Sequence, residues 1–215
     1  MAGLRKWELS DFRGLASDFR KCIALMTEDL SMCDLDARLR DVCHELRTSL
    51  DSTPSGMRAR SRASAFTPSP GQPIYSQRVS EGDDHQLTLL GLHESRRIPM
   101  HDHPDMTGLL LVIGGRVHSQ QFGFSKHSRK TALVELTPGV DRIMEEDDFA
   151  IVSSQTGSLH SLHALDGNAV CLSLHLFCGP RQRKQSWYFP ATPHGMDRNC
   201  NLWHQLDNKR FPHGI

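Results

Sequence analysis

From Ile74 onward the chain is a succession of short apolar or alternating runs separated by turn signals, with no helical pattern between them. The runs cover Gln86–Leu92, Gly108–Ile113, Arg116–Phe122, Thr131–Leu136, Phe149–Ser153, Leu159–Leu165 and Val170–Phe177. Parallel strands need long crossovers, which this spacing does not provide, so the strands must fold back antiparallel. Seven such strands predict a sandwich or a double-sheet jelly roll. Gly114-Gly115 reads as a two-residue hairpin turn, and Asp166-Gly167-Asn168 separates two further strands.

The 73 residues before this region differ in character. Leu4, Trp7, Phe12, Leu15, Phe19, Ile23 and Met26 recur at helical spacing, with Ser10 as a plausible helix start. Asp34 reads as the cap of a second helix carrying Leu35, Leu39, Val42 and Leu46. Residues 1–50 are therefore an expected helical segment packing on the main domain. Residues 51–73 hold Pro54, Gly56, Pro68, Pro70 and Pro73 among serines and Arg58, Arg60 and Arg62, the composition of a solvated linker. The remaining stretch, 74–215, is the β domain.

Charge and composition narrow the function. Lys+Arg and Asp+Glu each number 25, so the chain lacks the basic footprint of a nucleic-acid or anionic-membrane binder. No apolar run reaches the roughly 18–20 residues that span a bilayer. The first residues turn charged at Arg5-Lys6 before a signal-peptide core could form, and the six cysteines contain no C-x-x-C pair. These features predict reduced thiols in a cytoplasmic or nuclear protein, and a monomer. Thirteen histidines stand against two tyrosines and three tryptophans.

The placement of the histidines is informative. In Pro99-Met100-His101-Asp102-His103-Pro104, residues two apart on a strand face the same side, and Pro104 ends the strand. His101 and His103 then present two imidazoles together, while Asp102 points away and makes a structural hydrogen bond. Gly157-Ser158-Leu159-His160 can bring a third imidazole from a later strand. Such a His-x-His followed by Gly-x-x-His is similar to the metal-ligand arrangement of cupins. Where ordinary cupins place a Glu four residues after the second histidine, this chain has Thr107. Three neutral imidazoles would leave Fe(II) its full charge and open positions, which an anionic thiolate suits. Zinc fits three histidines equally, so the ligand set alone leaves the metal open.

The runs Ile98 to Thr107 and Gly114-Gly115-Arg116-Val117-His118 resemble the thiol dioxygenases of the cysteamine dioxygenase and plant cysteine oxidase family. Ser158-Leu159-His160 through Asp166-Gly167 is similar to that family's strand bearing the third histidine. The resemblance spans about residues 74–190. It implies a cupin jelly roll with Fe(II) on His101, His103 and His160. It also implies O2-dependent conversion of a thiol, either cysteamine or an N-terminal cysteine, to its sulfinic acid, and with it oxygen sensing. Tyr188, in Ser186-Trp187-Tyr188-Phe189, matches the closing strand and is the candidate catalytic residue, orienting substrate or oxygen.

Four positions depart from the pattern. Asp105 stands where the family has Gly, Ser173 where it has a substrate-positioning Asp, and no Pro-Pro-Tyr turn follows. Ser186 replaces a cysteine, which excludes a cysteine–tyrosine crosslink. These departures keep open an alternative, a metal-binding cupin without turnover that acts as a sensor or thiol-peptide binding module. A zinc- or nickel-dependent hydrolase or isomerase would need a general base, and the motif contains no Glu. His163, His118 and His175 read as groups outside the ligand set, His118 and His175 with possible supporting roles, and Trp187 and Trp203 as core.

Overall fold

The computed structural model describes residues 32–52, 74–82, 85–93, 96–127, 133–153, 159–165, 170–179, 186–190 and 201–206, with the single residues 57 and 61. The helix read over residues 4–31, most of the linker, the 166–168 turn and the side chain of Trp203 lie outside the described residues. One helix, α1 (Met32–Ser52), precedes eleven strands. They are β1 (Ile74–Glu81), β2 (His85–Leu92), β3 (Arg97–Asp102), β4 (Thr107–Gly114), β5 (Val117–His127), β6 (Leu133–Met144), β7 (Phe149–Val152), β8 (Leu159–Ala164), β9 (Cys171–Cys178), β10 (Trp187–Pro190) and β11 (Asn201–Leu206). Helix α1 already includes Asp34, so this residue sits in the first turn and is not the cap that its side chain suggested.

Two antiparallel sheets form. The first has the order β1-β2-β9-β4-β7, and the second, β10-β11-β6-β5-β8-β3, closes on itself through the pairing of Trp187 with His101. This is the expected mainly-β, double-stranded β-helix architecture. Between the sheets lies a core of Leu90, Leu110, Val112, Val117, Met144, Val152, Leu162 and Phe177. The outer face of the first sheet is buried too. Val42 and Cys43 of α1 pack there with Leu87, Leu109, Leu111, Leu172, Leu174 and Leu176.

Burial on both faces explains the unbroken apolar run Leu109 to Ile113, which lacks the alternation of a half-solvated strand. Each of these leucines, fully removed from water, contributes roughly 2 kcal/mol. Strand β9 does alternate: Leu172, Leu174 and Leu176 face α1, while Phe177 and Cys171 join the core between the sheets. Among the described residues, no helix is long and apolar enough to cross a membrane.

The structure corrects the reading of Gly114-Gly115. Strand β4 pairs with β7 and β9, and β5 with β6 and β8, so the two glycines carry the chain from one sheet to the other. Gly115 has φ 76°, and a Cβ there would lie 2.8 Å from the Val170 carbonyl and 2.9 Å from Cys171 Cα. A tight inter-sheet corner thus has the same dipeptide signature as a hairpin. Strand β10 is the closing strand expected around Tyr188, whereas β1 and β11 were not anticipated, and β6 runs on past Leu136 through Pro138 to Met144. Pro138 is tolerated because the β5–β6 register shifts between Gln120 and Phe122.

Candidate metal centre

Strands β3 and β8 pair so that His101 and His160 lie directly opposite each other, next to a register shift between Ile98 and His101. The chain leaves β3 after Asp102 and turns at once, with the Met106 amide donating to the His103 carbonyl at 3.1 Å. Pro104 in the second position and Asp105 at φ 59° in the third are the marks of a type II turn. That turn folds His103 back over His101, with ring centroids 5.0 Å apart.

Asp105 occupies the turn position that favours glycine, since a Cβ at positive φ crowds the backbone. The carbonyl of Asp105 also meets Gly179, where a Cβ would lie 2.5 Å away. Asp105→Gly is expected to stabilise the fold by about 1 kcal/mol. A urea midpoint no higher than that of the parent protein would contradict the strain.

The three imidazoles converge through the same ring atom. His160 Nε2 lies 2.8 Å from His101 Nε2 and 3.2 Å from His103 Nε2. All three nitrogens fall within 4.8 Å of one another, and no other His, Cys, Asp or Glu group among the described residues is so arranged. His160 is fully buried, His101 nearly so, and His103 half-buried. His101 Nδ1 donates to the Pro99 carbonyl at 2.8 Å, which leaves Nε2 as a lone pair aimed at its neighbours.

Burial holds all three rings neutral at physiological pH. It lowers His101 to about 4, against a smaller upward pull from the Pro99 hydrogen bond. His103 and His160 are held well below the usual histidine range by burial, reinforced by the neighbouring imidazoles. Hydrogen bonds can join such nitrogens only in pairs, whereas a dication accepts all three lone pairs. The donor set therefore fits a metal ion, with no carboxylate in the group.

Around the three histidines, Trp187 lies with its ring centroid 4.9 Å from that of His101. Ser173 and His175 project from β9 on the facing sheet, both buried, with Ser173 Oγ and His175 Nε2 2.9 Å apart. The His175 ring is 6.5 Å from that of His160, and burial lowers its pKa to about 3. The alternation of β9 was legible in the sequence, but not that its Ser173–His175 face turns toward the three histidines.

Tyr188 is placed differently from a residue that reaches the reacting atoms directly. Its hydroxyl donates to Asp102 Oδ2 at 2.8 Å, and the Ser186 amide donates to Asp102 Oδ1 at 2.6 Å. Its ring is buried with Met100, Phe122, Val134, Leu136 and Leu159. Asp102 thus makes the structural hydrogen bonds expected of it, on the side of β3 away from His101. His118 pairs with Asp141, and His163 stands opposite His118 and Arg97 in the strand pairings, so neither joins the three histidines. Cys43, Cys171 and Cys178 are buried thiols.

A double-stranded β-helix with three converging histidines defines a cupin whose donor set fits a metal ion. The PCO_ADO family model, that of the plant cysteine oxidases and cysteamine dioxygenases, matches residues 34–204. The chain belongs to this family of thiol dioxygenases. Among curated proteins no match is found. Similar solved structures include a double-stranded β-helix protein from Klebsiella pneumoniae (19% identity, 57% of this chain and 84% of that one, TM-score 0.42). Others are BH2720 from Bacillus halodurans (17% identity, 68% and 89%, TM-score 0.42) and a recombinant oxalate oxidase in complex with glycolate (13%, 57% and 58%, TM-score 0.40).

Proposed function

We propose that the chain is an Fe(II)-dependent thiol dioxygenase. It converts the thiol of an N-terminal cysteine, or of cysteamine, to the sulfinic acid: R–SH + O2 gives R–SO2H. The observation that carries this reading is the convergence of three neutral imidazole Nε2 atoms with no carboxylate among them. Fe(II) bound there supplies the redox centre and draws the thiol to its thiolate form. His101, His103 and His160 hold it. Among the described residues the group includes no carboxylate, so a substrate thiolate would be the anion that balances the metal charge.

The other residues shape the site. Trp187 and Phe177 keep water from two sides of the imidazole group. Tyr188 acts through Asp102, holding β10 against β3 and so Trp187 against His101. In this reading residues 74–215 form the dioxygenase-like domain, 1–50 the helical segment and 51–73 the linker. The thiol and O2 are its partners, and it works as a monomer in the cytoplasm or nucleus as an oxygen sensor. The buried cysteine thiols and the balanced charge support that compartment.

Mass spectrometry of a cysteine-initiated peptide, incubated in air with the iron-loaded protein, tests the proposal. Cysteamine runs in parallel, and His160→Ala serves as control. The expected result is a gain of two oxygen atoms on one thiol, abolished in the variant. A second reading, a metal-binding cupin without turnover, is favoured by the neutral Ser173–His175 pair at the position of the family's Asp. Bound iron with no oxygen gained on either thiol would establish it instead.

A further inference from the structure

The three candidate ligands are oriented by different means. His160 is fully enclosed, and His101 is fixed by its bond to the Pro99 carbonyl. His103 has neither constraint. It stands beyond the end of β3 in a turn, it is half-buried, and among the described residues its side-chain hydrogen bonding goes to His160 Nε2. An imidazole on two free torsions would lose its alignment there unless something else held its plane.

Phe177 supplies that hold. Its ring lies parallel to the His103 ring, with centroids 3.5 Å apart and 13° between the planes. Phe177 belongs to β9, in the middle of the first sheet, and is itself 4% exposed, so it forms a rigid platform. The room for it comes from β4. Gly108 is the direct cross-strand partner of Phe177, and a Cβ on Gly108 would lie 2.1 Å from Phe177 Cε1 and 2.4 Å from Cδ1. The aromatic ring therefore fills the space that a side chain at position 108 would need, and it stacks against His103.

We propose that Phe177 is a positioning residue that sets the ring plane of His103, and that residue 108 is glycine to admit the Phe177 ring. This rests on the reading of His103 as a metal ligand. It makes β9, far in sequence from the His-x-His motif, and its pairing with β4 part of the machinery that determines metal affinity.

Co(II) affinity of the full chain, measured by competition with a chelator, tests it. Phe177→Leu keeps an apolar side chain but removes the plane, and is expected to weaken Co(II) binding 10–100-fold, the scale of lost ligand orientation. Phe177→Tyr, which restores the plane, should return within about 3-fold of the parent. In a His103→Ala background the Leu substitution should change Co(II) affinity little, because its target is gone. Leu and parent proteins binding Co(II) alike, or an undiminished loss in the His103→Ala background, would overturn the proposal. The His103 ring protons give an independent readout, since the Phe177 face should shift them upfield in the metal-free protein. Were the parent chain to bind no Co(II), the ligand reading would fail, and the ring-proton shift would still decide whether the stack orients His103.

Discussion

The metal-free protein is expected to lose about 5 kcal/mol of stability between pH 7.5 and pH 5.5. His101, His160 and His175 are buried and His103 is half-buried, and all four have pKa values pushed below the ordinary histidine value, chiefly by burial. The unfolded chain takes up protons on these groups near pH 6.5, while the folded chain resists until about 4 for His101 and about 3 for His175. Over that window the unfolded state binds more protons, so stability falls as pH falls. Each such histidine costs about 1.4 kcal/mol for every pH unit below 6.5. Asp102, raised by burial, shifts in the opposite sense but is a single group. Urea midpoints of the metal-free protein at the two pH values measure the effect, and equal midpoints would refute neutral burial of the four rings. In the loaded protein the same titration becomes competition between protons and metal, so affinity should also fall with pH.

Asp102→Ala should destabilise the metal-free fold by about 4 kcal/mol, because it strands two donors in a buried place. The Ser186 amide and the Tyr188 hydroxyl both end on that carboxylate, and Tyr188 is 2% exposed. The same contacts fasten β10 to β3, where the strand pairing is the single Trp187–His101 match. Tyr188→Phe removes one donor and leaves Asp102 Oδ2 unpaired, at an expected cost of about 1–2 kcal/mol. The double variant should cost less than the two single losses together, since the Tyr188 hydroxyl is then no longer stranded, although the Ser186 amide still is. Chemical denaturation of the four proteins reads this cycle. An Asp102→Ala loss below about 1 kcal/mol would show that β10 does not depend on the carboxylate.

Tyr188 also marks the boundary of what motif matching delivers. The sequence carried the tyrosine and its place in a closing strand, and both are present. It did not carry the direction of the hydroxyl, because that depends on which side of β3 the strand β10 lands. The pairing of Trp187 with His101 puts Tyr188 beside Asp102, so its effect on the site is indirect.

Much of the architecture was written in local pattern. Period-two alternation and turn residues located seven strands, since backbone geometry makes alternate side chains share a face. The His-x-His spacing and the downstream His160 were enough to nominate the imidazole group. What local pattern does not contain is the partner of each face. Gly114-Gly115 has the chemistry of a hairpin, but which strands it joins is decided by hydrogen bonds made elsewhere, and those send β4 and β5 to different sheets. In β9 the alternation separates Leu172, Leu174 and Leu176 from Ser173, His175 and Phe177. In a strand solvated on one face the second set would meet water. Helix α1 covers the leucines instead, and the second sheet covers the others, so the polar pair and the aromatic ring come to face the histidines. The sequence by itself determined most of the strands and nominated three histidines as ligands. Only the packing of two sheets and a helix decided what surrounds those ligands, because burial is a property of surfaces brought together from distant parts of the chain.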